Sequence, residues 1–110
     1  MKQKDFDKLV DERLGFCKRT LHYKAEEYAT DDRLHNFKRA ALLQGCTPAR
    51  ALSGMWAKHI ISILDIIDDI ERGKAIDEAI LSEKLTDNIN YLLLLEAVIL
   101  ETAAMGVDAV

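Results

Sequence analysis

The sequence predicts an all-α fold, and three features of the chain support this fold class. The 110 residues contain one proline and five glycines, so few positions interrupt a helix. Strand-like alternation of β-branched residues is almost missing, and apolar residues recur instead at spacings of three and four. The proline and several of the glycines stand where helix ends are expected. A chain of this length, without a visible repeat or linker, forms a single domain over residues 1–110.

The first two helices are predicted from an apolar stripe and from turn residues. The first runs from about Asp5 to Tyr28, and its stripe should face the core; it consists of Phe6, Leu9, Val10, Leu14, Cys17, Leu21 and Ala25. Residues 30–33 supply N-cap candidates for a short second helix through Phe37 to Leu43, which Gly45 ends. Polar groups concentrate around the turn at residues 31–37, which could close a pocket.

The third and fourth helices have clearer end signals. Thr47 can cap a helix that has Pro48 at its first position and that continues to about Arg72, where Gly73 stops it. The fourth helix follows from about Asp77 to Ala104. Because the loops are short, neighbouring helices should pack antiparallel. The tail over residues 105–110 has little to hold it and is expected to fray.

Composition limits the partners and the compartment. The 15 basic and 19 acidic residues give a formal charge of -4 and are scattered, which disfavours strong binding to duplex nucleic acid. Two cysteines without a CxxC spacing and a charged N-terminus predict a cytoplasmic protein with reduced thiols. Glu96 interrupts the apolar run that begins at Tyr91, so no membrane span is expected. A domain this small favours packing against another copy of itself.

The most informative motif is a polar strip in the fourth helix. Glu83, Asp87 and Asn90 stand at positions i, i+4 and i+7, and Leu94 and Ala97 continue the same strip. A strip that turns apolar halfway along is expected to point partly into the protein. Two inward carboxylates need a metal ion or a cationic side chain as partner. The strip therefore predicts a site inside a helical bundle.

A second polar strip in the third helix has two interpretations. Its members are Lys58, Ser62, Asp65 and Asp69. They form either the exposed edge of a core helix or the other half of the site. In an antiparallel hairpin of the third and fourth helices, Asp65 and Asp69 would come closest to Glu83 and Asp87. Four converging carboxylates would need a divalent cation such as Mg²⁺, which would bridge them to phosphate oxygens, with Lys58 adding positive charge.

Other residue types give weaker signals. The three histidines lack HxxxH or HExxH spacing, so zinc is not expected. Trp56 and Tyr91 are interpreted first as core or interface aromatics, and second as surfaces on which a nucleobase stacks. Neither a GxSxG motif nor a P-loop occurs, which disfavours covalent catalysis and Walker-type nucleotide binding.

Over most of its length the chain resembles the phage and bacterial proteins with the nucleotide-modification-associated domain, which are similar to the MazG-like all-α NTP pyrophosphatases. The motifs of the resemblance are Lys24-x-x-Glu27-Tyr28, His35-Asn36-Phe37, Ala51-Leu-x-Gly54-Met55-x-x-Lys58-His59 with Ser62 and Asp65, and Glu83-Lys-Leu-x-Asp87-x-x-Asn90-Tyr91. The resemblance implies a bundle of four to five helices, assembled as a homodimer or homotetramer. It also implies a Mg²⁺ cluster that cleaves a nucleoside triphosphate between its α and β phosphates.

The resemblance assigns roles to particular residues. Glu83 and Asp87 match the acidic pair of the last core helix and are the implied catalytic residues. In the third helix the pyrophosphatases carry a Glu-x-x-Glu pair, where this chain has Lys58-His59 followed by Ser62 and Asp65. The implied metal ligands are Glu27, Asp65, Glu83 and Asp87, and the implied substrate contacts are Lys24, Asn36, Lys58, His59, Asn90 and Tyr91.

Three functions are compatible with these residues. The first is a Mg²⁺-dependent nucleoside triphosphate pyrophosphohydrolase, or a related domain that handles a nucleotide or deoxynucleotide in phage nucleotide modification. The second is a non-catalytic nucleotide-binding module with a degenerate metal site. The third is a structural helical oligomer whose polar strips pair with one another.

Overall fold

The chain forms four α-helices in a computed structural model that describes residues 1–27 and 30–106. They are α1 (Gln3–Glu26), α2 (His35–Gln44), α3 (Pro48–Glu71) and α4 (Glu78–Ala104), and the described part of the chain contains no strand. The predicted all-α helical bundle is thereby confirmed. The predicted end of the first helix at Tyr28 and residues 107–110 of the predicted tail lie outside the described residues.

Local signals in the sequence set the ends of the helices. Thr47 Oγ1 accepts a hydrogen bond from the Arg50 amide at 3.1 Å, and Pro48 occupies the first position of α3. Asp77 Oδ1 accepts from the amides of residues 79 and 80 at 3.0 and 3.2 Å and caps α4. Gly45 and Gly73, which end α2 and follow α3, have φ angles of 65° and 81° that glycine adopts without strain.

Three of the helices lie side by side, with α4 in the middle. Thr86 and Asn88, two residues apart on α4, contact α1 and α3 respectively, so these helices flank α4 on opposite sides. Arg13 bonds to Ser82 and, further along both helices, the Cys17 carbonyl oxygen accepts from Asn90, which means that α1 runs parallel to α4. The predicted antiparallel pairing holds for α3 and α4, but α1 and α2 do not pack along each other. Instead α2 packs on α3.

The helices α1, α4 and α3 form a layer, and the core lies at one end of it, where α2 covers the layer. Leu34, Phe37, Leu52 and Val98 form its buried cluster. At the other end α1 extends past the start of α4, because Arg13 is level with Ser82 and each helical residue rises about 1.5 Å. Most of the predicted core stripe of α1 is therefore not buried in the single chain: Phe6, Leu9, Val10 and Leu14 are 37% to 50% exposed. Only its later members, Cys17 and partly Leu21, are covered.

None of the helices in the described residues has a stretch that is both long and apolar enough to span a bilayer. The sequence likewise predicted no membrane span.

Candidate functional site

A cavity of about 250 Å³ lies between the second half of α1, the start of α2 and the middle of α4. We call it the polar cavity. It is lined by Thr20, Leu21, Lys24, Arg33, Asn36, Phe37, Met55, Asp87, Asn90, Tyr91 and Leu94. Five residues that the sequence assigned to a site meet here although they come from three helices: Lys24, Asn36, Asp87, Asn90 and Tyr91.

The polar cavity carries more positive than negative charge. Lys24 from α1 and Arg33 from the turn before α2 provide two cations, and Asp87 from α4 provides one carboxylate. Asp32 holds this turn, since its Oδ1 accepts a hydrogen bond from the Leu34 amide at 3.0 Å. No role was predicted for Arg33 from the sequence. Its only signal was its place within the polar turn, which does form one wall of the cavity.

His59 and Tyr91 form a pair beside Asp87. Nδ1 of His59 lies 3.8 Å from Oδ2 of Asp87, and the His59 and Tyr91 rings are 4.8 Å apart between centroids with a tilt of 35°. The His59 side chain is only 17% exposed. These contacts let His59 restrict both the carboxylate and the ring that line the cavity.

Asn88 positions His59, although the sequence analysis did not select it. Its Nδ2 donates to the His59 carbonyl oxygen at 3.0 Å and to the Lys84 carbonyl oxygen at 2.8 Å. Its Oδ1 accepts from Nε1 of Trp56 at 3.0 Å. This side chain therefore ties α3 to α4 at the level of Asp87. The contact also shows that Trp56 acts as an interface aromatic between helices.

Asn90 lies in the interior with only part of its amide satisfied. Nδ2 donates to the Cys17 carbonyl oxygen at 3.4 Å, and Oδ1 is buried without a hydrogen-bond partner among the described residues. A carbonyl oxygen can only accept, so the NH₂ group must face Cys17 and the orientation of the amide is fixed. Burial raises the pKa of the neighbouring Cys17 thiol, and the charge of Arg13 partly opposes this rise.

A second space, which we call the acidic groove, adjoins the polar cavity between α1 and α4. It has a volume of about 260 Å³ and is lined by Phe16, Thr20, Ala79, Ser82, Glu83, Thr86 and Asp87. Asp87 and Thr20 line both spaces. Arg13 holds the two helices together here, since its Nη1 donates to Ser82 Oγ at 2.6 Å and to Thr86 Oγ1 at 2.8 Å. Glu83 remains 64% exposed.

The structure does not bring all four predicted metal ligands together. Glu27 is exposed and lies 3.9 Å from Lys24. Asp65 is also exposed and lines neither the polar cavity nor the acidic groove. It stands six positions after His59, which places it on another side of α3. Within the described residues no group of three or more His, Cys, Asp or Glu side chains could hold a metal ion. Of the four, Glu83 and Asp87 share the acidic groove.

Two other members of the predicted α3 strip lie apart from the site. Lys58 is exposed and lines neither space. Asp69 Oδ1 lies 3.4 Å from Lys74 Nζ, near the turn that connects α3 to α4. Lys58 and Asp65 are thus exposed, as on the edge of a helix, whereas Asp69 is half-buried and lines a small cavity at that turn.

Together the fold and the site define an all-α protein with a charge-lined cavity between its helices. No family model, curated protein or solved structure matches the chain. The resemblance to the nucleotide-modification-associated and MazG-like proteins therefore stays a prediction.

Proposed function

We propose that this chain is a nucleotide-handling domain that binds a nucleotide or deoxynucleotide in the polar cavity. The observation that supports the proposal is the meeting of two cations, two amides and an aromatic ring from separate elements around one cavity. Lys24 and Arg33 are the proposed phosphate contacts, since cationic donors suit phosphate oxygens. Tyr91 is the proposed contact for the base or sugar, and His59 restrains its ring.

The size of the site fits part of a nucleotide. A volume of about 250 Å³ approaches the lower end of ligand pockets, which begin near 300 Å³. Asp87 stands where the polar cavity meets the acidic groove. A ligand that fills the polar cavity therefore reaches Asp87, the carboxylate that also lines the acidic groove.

Arg33 gives the first test of nucleotide binding. A thermal-shift panel of NTPs and dNTPs, with and without Mg²⁺, should raise the midpoint of the wild type for at least one nucleotide, because a ligand of the native state stabilises it. Arg33→Ala should lose that shift. Arg39→Ala is the matched control, because Arg39 is exposed on α2 and does not line the cavity. A flat panel for the wild type contradicts the proposal.

Mg²⁺-dependent pyrophosphate release is the second candidate function. Its support is the i, i+4 pair of Glu83 and Asp87 in the acidic groove. Mg²⁺ is commonly bound by one or two carboxylates together with substrate phosphates, so the pair is compatible with a metal that arrives with the nucleotide. A bound Mg²⁺ would stabilise negative charge on the phosphate oxygens. Asp87, which lies 3.8 Å from His59, would hold this Mg²⁺ together with Glu83 in the acidic groove.

A pyrophosphate-release assay separates the two candidates. Under the hydrolysis proposal the wild type releases pyrophosphate with Mg²⁺, and Asp87→Asn abolishes release while the nucleotide still raises the midpoint. Asp65→Asn should keep wild-type activity, because Asp65 lines neither space. A wild type that is stabilised by a nucleotide but releases no pyrophosphate is a binding module.

Two further predictions from the sequence accompany the proposal. One is assembly as a homodimer or homotetramer, and the other is a cytoplasmic location in a bacterial cell or a phage-infected host. Both are retained here as proposals.

A further inference from the structure

The side of the helical layer opposite the polar cavity is broad and apolar. On α4, Leu85 and Ile89 stand two residues before and after Asp87, which turns them to the other side of the helix. Leu92 continues their stripe at the next turn and is 50% exposed. Glu96 is the first charged residue further along this stripe. The side of α4 turned away from Asp87 is thus apolar over two turns.

The flanking helices extend the same apolar surface. Leu64 of α3 lies nine residues after Met55, about half a turn round the helix from this cavity-lining residue. Ile60 and Ile67 share the stripe of Leu64, and these three side chains are 37% to 53% exposed. On α1, Leu14 stands two residues before Phe16, which faces the acidic groove, and is 48% exposed. We call the surface formed by these stripes of α1, α3 and α4 the back face.

The area of exposed surface exceeds what a closed monomer of this mass has. The chain exposes 8181 Å². The size scaling of folded monomers gives roughly 6,100 Å² for 12.4 kDa, an excess of about 2,000 Å². The radius of gyration of 16.5 Å likewise exceeds the roughly 13 Å of a compact chain of this length. A standard interface buries about 800 Å² per partner, which is less than half of this excess over the whole chain.

We infer that the back face is the interface with a second copy of this chain. A layer of helices must bury its apolar side against another layer, and α2 packs on the side of the polar cavity, which two of its residues line. Two copies that meet across a two-fold axis use the same patch, so the apolar stripes of one back face would pack on those of the other. The formal charge of -4 disfavours an anionic membrane surface as the occupant. In this dimer both polar cavities point outward, each complete within one chain.

The test is the mass of the full chain in solution, measured by sedimentation equilibrium and by light scattering after size exclusion. The wild type should show twice 12.4 kDa. Leu92→Glu and Leu64→Glu each place a charge on the back face. Each substitution should raise the dissociation constant of the dimer at least tenfold. Leu43→Glu is the matched control, because Leu43 is 87% exposed on α2 and lies off the back face.

Each outcome decides the proposal. A wild type that is monomeric at every concentration overturns it, including one that binds phosphatidylcholine or phosphatidylglycerol vesicles as a monomer. A dimer that survives both back-face substitutions, or that only Leu43→Glu dissociates, also overturns it. Should Leu92→Glu unfold, cross-linking of a Leu64→Cys variant that also carries Cys46→Ser, by a short bis-maleimide, supports the interface, since the remaining Cys17 is buried. In that case, failure of this cross-link under conditions that label the thiol overturns the proposal.

Discussion

Asn88 fixes the position of His59 relative to Asp87 without lining either the polar cavity or the acidic groove. Its amide uses both ends, accepting from Trp56 and donating to the carbonyl oxygens of His59 and Lys84. An amide with several partners on two helices contributes more to stability than its buried area alone would. Its loss leaves those partners without a hydrogen bond in a partly buried place. The geometry beside Asp87 therefore depends on a residue without a direct role in binding.

Substituting Asn88 should reduce stability more than substituting a cavity amide. Asn88→Ala removes three hydrogen bonds and is expected to lower the free energy of unfolding by about 2 kcal/mol. Asn36→Ala serves as the control, because Asn36 is exposed, and should change it by no more than about 0.5 kcal/mol. Urea denaturation followed by circular dichroism measures both. Equal effects of the two substitutions would mean that the amide of Asn88 does not join the helices.

Asn90 should behave in the opposite way, with a small effect on stability and a large one on binding. Among the described residues its Oδ1 has no hydrogen-bond partner and its Nδ2 makes one long hydrogen bond of 3.4 Å, so Asn90→Leu should change the free energy of unfolding by less than about 1 kcal/mol. The nucleotide-dependent rise in melting temperature should disappear in this variant. Thermal shift with and without the nucleotide compares the two effects. A large loss of stability would assign Asn90 a structural role instead.

The amides also show how far the sequence predicts the site. Asn90 could be found because it continues the strip of Glu83 and Asp87. Asn88 stands on the other side of the same helix, and its partners on α3 are defined only by tertiary packing. Arg33 likewise precedes its helix and reaches the cavity because of where α2 docks. The helical period predicts which residues share a face, but not which faces meet.

At the scale of elements, the ends of the helices were the most predictable features. Thr47, Pro48, Gly45 and Gly73 act within one turn of themselves, so their effect does not depend on the rest of the fold. The pairing of α1 with α4 was not predictable from such signals, since Arg13 and Ser82 are 69 residues apart. Short loops correctly predicted the α3 and α4 hairpin. They gave no information on where α1 would lie.

The cap of α4 gives a prediction at this scale. Asp77 Oδ1 accepts from two amides at the start of the central helix, so Asp77→Ala should lower the free energy of unfolding by about 1 kcal/mol. Asp77→Ser keeps an accepting oxygen and should retain most of the stability. Urea denaturation of the two variants and the wild type provides the comparison. Equal losses in both variants would show that the side-chain oxygen does not stabilise the helix.

An ion-pair network attaches α2 to the end of α4 and makes its docking sensitive to pH. Lys38 Nζ bonds to Asp32 at 2.7 Å and also to Glu101. The hydrogen bond from Lys38 lowers the pKa of Asp32, and the same bond, together with Glu101, raises the pKa of Lys38. A lowered carboxyl pKa contributes stability above the unfolded value near 3.9, and this contribution is lost as the pH falls through the folded value.

Lys38→Met should therefore weaken the response to acid. Between pH 7 and pH 3 the free energy of unfolding should fall more in the wild type than in Lys38→Met, because only the wild type has the network to lose. Lys8→Met is a control on α1 and should keep the wild-type dependence on pH. Urea denaturation at a series of pH values measures the slope. Parallel curves for the wild type and Lys38→Met would exclude a contribution of the network.

At the scale of the whole molecule, the extended layer explains why the core is small. The buried apolar cluster sits under α2 at one end, and the remaining length of α1, α3 and α4 keeps half of many apolar side chains exposed. The apolar stripe of α1 was predicted from the sequence, but it was assigned to the core of one chain. Periodicity identifies a surface that must be buried, and it does not distinguish burial within a chain from burial between chains. The stability of this fold is accordingly expected to depend on association.

That dependence gives a prediction which needs no substitution. If unfolding is coupled to dissociation of a dimer, each tenfold increase in protein concentration raises the apparent free energy of unfolding by about 1.4 kcal/mol per dimer. The urea midpoint of the wild type should therefore rise steadily across a hundredfold range of concentration, whereas that of Leu92→Glu should rise much less or stay constant. A concentration-independent midpoint for the wild type would mean either that the single chain is stable with its back face exposed or that dissociation is not coupled to unfolding. Sedimentation at the same concentrations distinguishes these two cases, because only the second shows a dimer throughout.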